Sequence, residues 1–188
     1  LSSSAAGSVG GRGVGLGRRW GAFGVTVLGV SEGRTQVAGF EEIFKRSQIH
    51  TAVAECDFLV ALMPYTAQSH HMIDASVFAA MPKRAMLINI SRGGCVDELA
   101  LREALKTEQI AGAGLDVFAH EPLDDDDPIW TAPTVLIPPH IGGMSDIYKH
   151  QALPFVSQNI SPFSPTGPAG LHGVIAVPYP QHTRPARR

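Results

Sequence analysis

Residues 85–97, AMLINISRGGCVD, carry the reading on which the fold turns. Ala85 to Ile90 is an apolar run of strand length, Arg92 follows it, and Gly93 and Gly94 let the chain turn toward a helix that Asp97 can cap. That helix is expected over Glu98 to Thr107, with Leu99, Leu101 and Leu105 beside Ala100 and Ala104 as its apolar face. The pattern repeats outward. Val25–Val30 and Asp57–Met63 read as strands upstream, Asp74 can cap a helix through Ala80, and Ala111–Val117 and Val135–Ile137 read as strands downstream. Apolar strands alternating with helices at this spacing predict a parallel sheet covered on both faces, a doubly wound α/β domain.

Composition agrees with one globular domain. The chain has 188 residues, 44% hydrophobic and 17% charged, which excludes disorder as the dominant state. A formal net charge of -2 gives no broad basic field, so neither nucleic acid nor an anionic membrane is an expected partner. The longest apolar stretch, Phe58 to Met63, ends at Pro64, far short of the roughly 20 residues that span a bilayer. The opening residues, Leu1-Ser2-Ser3-Ser4-Ala5-Ala6, lack the basic and then apolar pattern of a secretory leader. Cys56 and Cys95 build no disulfide framework, which points to a reducing cytoplasmic setting. Ten of the 20 glycines lie within residues 1–33 and seven of the 14 prolines in the last 35, so both ends differ from the middle. The expected organisation is a dinucleotide-binding domain over 1–160 and a Pro/Gly-rich tail over 161–188, a remnant of a further domain or disordered.

The Gly-rich entrance, Ala5 to Gly24, precedes a strand and suggests a turn whose backbone N–H groups face a pyrophosphate. No three glycines satisfy the full G-x-G-x-x-G spacing, but two registers come close. One uses Gly7 and Gly10 with Ala5 in the first place; the other uses Gly10 and Gly13 with Ser8 there. A flexible Gly-rich end is the plain alternative.

Four polar residues follow apolar strands. Arg92 succeeds Ile90, Asp116 ends Gly112-Ala113-Gly114-Leu115, Glu121 follows in the next loop with Pro122, and His140 comes after Ile137-Pro138-Pro139. In open α/β sheets the crevice at the carboxyl ends of the strands is the binding site, so the four are expected on one edge. Arginine grips a carboxylate bidentately, histidine exchanges a proton near neutral pH, and a carboxylate beside it holds the ring. A chance gathering of surface side chains is the bland alternative.

The segments INISRGGCVDELALREAL, IAGAGLDVFAHEPL and PPHIGG resemble successive motifs of the D-isomer-specific 2-hydroxyacid dehydrogenases, and DFLVALMPYTAQSHHMI is similar to the family strand that ends in a proline beside the adenosine. The resemblance covers about residues 5 to 160. It implies a Rossmann-like domain binding NAD or NADP, and an enzyme that interconverts small 2-oxo and D-2-hydroxy acids. It assigns Arg92 to the substrate carboxylate and carbonyl, His140 to acid/base work and Glu121 to tuning the histidine. It puts Asp116 near the nicotinamide carboxamide, and Pro64, Ser91, Gly142 and Gly143 with Gly7, Gly10 and Gly13 around the cofactor. A homodimer through the cofactor domain is also implied. Formate dehydrogenases carry Gln at the place of Glu121, so the carboxylate argues for hydroxy-acid chemistry. The family's substrate domain comes from the N-terminal segment and the C-terminal end, so it is expected to be largely absent from this chain, which then represents a fragment or a degraded gene. A non-catalytic dinucleotide-binding protein, like the family's corepressors, is the alternative.

NAD sites place an acid at the end of the second strand. Here Ser31 holds that place and Arg34 follows, which leans toward the 2′-phosphate of NADP, although Glu32 could accept ribose hydroxyls. No metal site is expected: His120-Glu121 begins like an H-E-x-x-H helix, but Asp124 stands at the second histidine position and Pro122 opposes a helix. Asp124 to Asp127 reads as a solvated loop, and Cys95 as a packed small residue.

Overall fold

The computed structural model describes residues 3–6, 9–143, 146–147, 150, 152–154 and 156–157. By its backbone contacts the chain divides into Leu1–Gly142 and Gly143–Arg188. In the second unit, residues 152–154 and 156–157 are helical. The expected tail over 161–188 lies outside the described residues, as do Gly7 and Ser8.

In the first unit the described strands are β1 (Ser3–Ala6), β2 (Thr26–Val30), β3 (Glu42–Phe44), β4 (Phe58–Ala61), β5 (Met86–Asn89), β6 (Gly112–Leu115) and β7 (Val135–Leu136). They form one sheet in the order β3-β2-β1-β4-β5-β6-β7, and every pairing is parallel. The order reverses at β1, whose Ser4 pairs with Val27 on one side and Phe58 on the other. Parallel crossovers are right-handed, so helices on the two arms of such a sheet cover opposite faces.

Those helices are α1 (Gly11–Ala22), α2 (Ile49–Val53), α3 (Ala75–Ala80) and α4 (Glu98–Lys106). The two expected caps are made: an Asp74 oxygen accepts from Ser76 and Val77 N–H, and an Asp97 oxygen from Leu99 and Ala100 N–H. Leu101, Ala104 and Leu105 of α4 are buried as expected, but Leu99 is 74% exposed. It lies two positions before Leu101, a rotation of about 200° that carries it off the buried face. Beneath the helices lie Leu59, Ala61, Leu87, Ala113 and Leu115 of the central strands, packed with Ile73, Val77 and Phe78.

Three elements depart from the expectation. Residues 11–22 form a helix where a glycine-rich turn or a flexible end is expected, and β3 and α2 lack the length to announce themselves. Packing holds α1 in place: a Cβ at Gly17 would stand 2.6 Å from the Phe40 ring, so the helix approaches the segment before β3 closely.

Candidate functional site

The turn carrying Arg92 is built on a buried polar side chain. Asn89, the last residue of β5, is 1% exposed; its Oδ1 accepts from Ser91 N–H at 3.1 Å and from the Ser91 hydroxyl at 2.8 Å, while its Nδ2 donates to the Arg92 carbonyl at 3.2 Å. Asparagine can serve three partners at once because its amide both accepts and donates. Arg92 itself is exposed, with Nη1 donating to the Ser91 carbonyl at 2.6 Å. A 3-10 turn at Gly93–Cys95 then leads to Asp97 and α4.

Asp116 follows β6 and is buried. Its two carboxylate oxygens accept from Ile141 N–H and Gly142 N–H, each at 2.8 Å. The carboxylate therefore ties the segment after His140 to the end of β6, and a Cβ at Gly142 would come within 2.7 Å of it. His140 has φ +53, in the left-handed region that non-glycine residues visit rarely. The ordering by Asp116 on its C-terminal side helps hold that conformation.

Glu121 and His140 meet directly, Oε2 to Nδ1 at 2.7 Å. The other carboxylate oxygen of Glu121 accepts from Phe118 N–H at 2.9 Å. Burial works to raise the Glu121 pKa, but the Phe118 N–H, the His140 ring and the Arg92 guanidinium outweigh it and hold the carboxyl below its ordinary value of 4.5. An ionised carboxylate at Nδ1 fixes the ring's orientation and leaves Nε2 to serve a substrate. Beside the pair opens a cavity of about 210 Å³, lined by Phe118, Leu123, Trp130, Ile137 and Pro139 with Asp116 on its polar side. Arg92, Asp116, Glu121 and His140 thus follow β5, β6 and β7, as expected for the carboxyl edge.

At the reversal of strand order, β1 ends at Ala6 and α1 begins at Gly11 with Gly10 as its N-cap. This geometry separates the two glycine registers. Ala5 is inside β1, paired with Leu28, whereas Gly10 opens the helix and Gly13 is buried within its first turn. Gly10 and Gly13 thus stand where these bounds put the end of the turn and the first turn of the helix, and the Ser8 of their register is not among the described residues. Gly7 falls outside the described residues. The N-terminus of α1 has no side-chain cap and no acid in its first turn, so its N–H groups suit an anion, and a dinucleotide pyrophosphate fits them.

Ser31 follows β2, its N–H donating to the Phe44 carbonyl at 2.8 Å, and Arg34 is exposed. Glu32 is occupied locally, Oε1 accepting from Arg46 N–H at 3.0 Å. Pro64 is exposed beyond β4, and its carbonyl accepts from the Ser69 hydroxyl at 2.8 Å. Gly143 belongs to the second unit and has open space where a Cβ would stand.

Asn89 escapes sequence reasoning, although a polar residue inside Leu87-Ile88-Asn89-Ile90 is a detectable signal of a built turn. Gly10, by contrast, is found in both registers. Cys56 and Cys95 are buried, and burial with the Asp57 charge pushes the Cys56 thiol up to about 12, so it is no nucleophile. Among the described residues no group of three His, Cys, Asp or Glu is placed to hold a metal, and no helix is long and apolar enough to cross a membrane.

The model of the D-isomer specific 2-hydroxyacid dehydrogenase, NAD binding domain, matches residues 6–142. A glyoxylate/hydroxypyruvate reductase B of Pectobacterium atrosepticum is 44% identical over 122 residues, 64% of this chain and 38% of that protein. The crystal structure of a D-isomer specific 2-hydroxyacid dehydrogenase family protein from Aeromonas salmonicida superposes with a TM-score of 0.83 at 31% identity, covering 93% of this chain and 55% of that one. An NADPH-dependent glyoxylate/hydroxypyruvate reductase from Sinorhizobium meliloti, in complex with NADP and sulfate, gives a TM-score of 0.79 at 28% identity over 91% of this chain and 54% of that one. This chain thus spans well under two thirds of these relatives' length.

Proposed function

We propose, from the premise that the chain belongs to the D-isomer specific 2-hydroxyacid dehydrogenases as their NAD-binding domain, that it binds a nicotinamide dinucleotide and supplies the acid/base and anion-binding groups for reducing a small 2-oxo acid of the glyoxylate and hydroxypyruvate class. The observation that carries this reading is the 2.7 Å contact between Glu121 and His140 on the same sheet edge as Arg92.

Gly10, Gly13 and the α1 N–H groups would hold the pyrophosphate, with Ser31 and Arg34 at the adenosine ribose and Pro64, Ser91, Asp116, Gly142 and Gly143 along the remainder of the cofactor. A bound dinucleotide supplies the hydride that reaches the substrate's carbonyl carbon. Arg92 presents its planar guanidinium to the substrate carboxylate and carbonyl, which fixes the acid and polarises the C=O bond. His140 Nε2 donates the proton to the carbonyl oxygen as it becomes a hydroxyl, and Glu121 stabilises the imidazolium that must be present beforehand. The positive charges of Arg92 and His140 also offset the negative charge developing on that oxygen.

NADP is favoured over NAD. Ser31 and Arg34 suit a 2′-phosphate, and Glu32, the only acid in that stretch, already serves Arg46 N–H. The solved relative from Sinorhizobium meliloti carries NADP, which supports the same choice. Two buried free cysteines agree with a reducing cytoplasmic setting. The family reading also carries a homodimer through the cofactor domain. The matched relatives are reductases and dehydrogenases, which gives the non-catalytic alternative no support.

Turnover tests the proposal. NADPH oxidation is followed with glyoxylate or hydroxypyruvate, using the 188-residue chain and the chain joined to the remaining length of a relative. Saturable oxidation that requires the oxo acid is expected in the joined form. Its absence with both acids and both cofactors would overturn the reading.

A further inference from the structure

Three stretches of chain converge on the two successive peptides that flank Phe118. The Phe118 N–H donates to Glu121 Oε1 at 2.9 Å, and the Ala119 N–H donates to Glu98 Oε1 at 2.7 Å. Gly93, next to Arg92, packs so closely that a Cβ there would overlap the Phe118 carbonyl and the Ala119 nitrogen. Glu98 is the first residue of α4, but that helix is already capped by Asp97, whose Oδ1 takes the Leu99 and Ala100 N–H groups. The Glu98 carboxylate is therefore not needed by its own helix, and it reaches a loop 21 residues away. Arg102, one turn further along α4, donates to Asp127.

We propose that Glu98 is a positioning residue for the Glu121–His140 pair: it clamps the Ala119 N–H, and so fixes the Phe118–Ala119 peptide, against which Gly93 seats the Arg92 turn and which directly follows the peptide whose Phe118 N–H Glu121 accepts. The inference rests on the proposed dehydrogenase reading only for its significance, since the clamp itself is geometric. The Phe118 N–H is the strongest of the influences that offset burial and lower the Glu121 pKa, so the carboxyl's own titration reports whether that N–H stays in place. The other groups acting on Glu121 are His140 and Arg92; Asp116 borders the same cavity with both oxygens occupied by Ile141 and Gly142 N–H, and His120 adjoins it in the chain.

The test is a carbon-13 NMR titration of the Glu121 carboxyl in the 188-residue chain, with no cofactor or substrate added. Three variants separate the possible roles. Glu98→Gln keeps an oxygen acceptor at full reach, Glu98→Asp keeps the charge at the helix N-terminus but is one methylene short, and Glu98→Ala removes both. The expected result is an unchanged Glu121 midpoint in Glu98→Gln and a rise toward the ordinary value of 4.5 in Glu98→Asp and Glu98→Ala. If Glu98→Ala does not fold, the contrast between Gln and Asp still decides. An unmoved Glu121 midpoint in Glu98→Asp, whatever its melting temperature, overturns the proposal, and so does a rise in Glu98→Gln equal to that in Glu98→Asp. Because nothing catalytic enters the measurement, failure of the dehydrogenase reading would leave its outcome intact.

Discussion

His140 engages Glu121 through one of its two ring nitrogens. Nδ1 is held at 2.7 Å by Glu121, so in the proposed reduction Nε2 is the ring nitrogen that would hand a proton to the oxo acid. His140→Asn keeps polarity but cannot deliver that proton, and turnover of the joined enzyme should fall by roughly two to four orders of magnitude while NADPH affinity stays within a few fold. Arg92→Lys keeps the charge but loses the fork, so KM should rise and kcat should fall together. Stopped-flow and steady-state assays check both; a His140→Asn enzyme with undiminished turnover would remove the histidine from the chemistry. Arg92, Glu121 and His140 are legible in the sequence because each comes after an apolar strand in a chain whose strands are parallel, so order along the chain becomes position along one edge. Asn89 and Glu98 are less legible, since their work is done by hydrogen bonds to backbone groups that only the folded chain brings within reach.

The helix α1 shows how local preference yields to packing. Five of its 12 residues are glycine, and each costs up to about 1 kcal/mol against alanine inside a helix. That cost is why residues 11–22 read as a turn or a loose end. The cost has a return at Gly17, where a Cβ would press on Phe40 at 2.6 Å, and none at Gly21, where nothing lies within 4 Å of one. Gly21→Ala should therefore stabilise the chain by roughly 0.5–1 kcal/mol, and Gly17→Ala should destabilise it by roughly 1–3 kcal/mol through overpacking. Urea unfolding measures both; equal effects of the same sign would show that α1 is not pressed against the segment before β3. The short β3 and α2 stay hidden for a different reason, because three to five residues carry too little periodicity to distinguish strand, helix and loop. The helices after Asp74 and Asp97 are legible, because an aspartate cap is a local signal that the structure uses as written.

At the scale of the whole fold, the carboxylates of Asp74 and Glu121 couple stability to pH. The Ser76 hydroxyl, with the Val77 and Ser76 N–H groups and the His50 charge, outweighs burial and lowers the pKa of Asp74 from 3.8; for Glu121 burial pulls the other way but is outweighed by the Phe118 N–H, His140 and Arg92. Both groups are more acidic folded than unfolded. Their contribution is thus complete above the unfolded values of 3.8 and 4.5 and is lost as pH falls through the lower folded midpoints. Thermal unfolding should show a plateau above about pH 5 and a decline below about pH 4, less steep in an Asp74→Asn, Glu121→Gln chain. An equally steep decline in that chain would assign the acid sensitivity elsewhere. At the same scale, the sheet order turns two distant pieces of sequence into one crevice: the α1 N-terminus lies at the reversal, and the Arg92, Glu121 and His140 loops lie along the arm that follows it. The central claim is that a dinucleotide spans that crevice with its pyrophosphate on α1. Titration of NADPH into nitrogen-15-labelled chain tests it most directly. The amides of Gly10, Arg12, Gly13, Ser31 and Ser91 should shift together and saturably, and Gly10→Val should abolish the shifts without unfolding the chain; no saturable shift, or shifts confined to the amino ends of the strands, would contradict the claim.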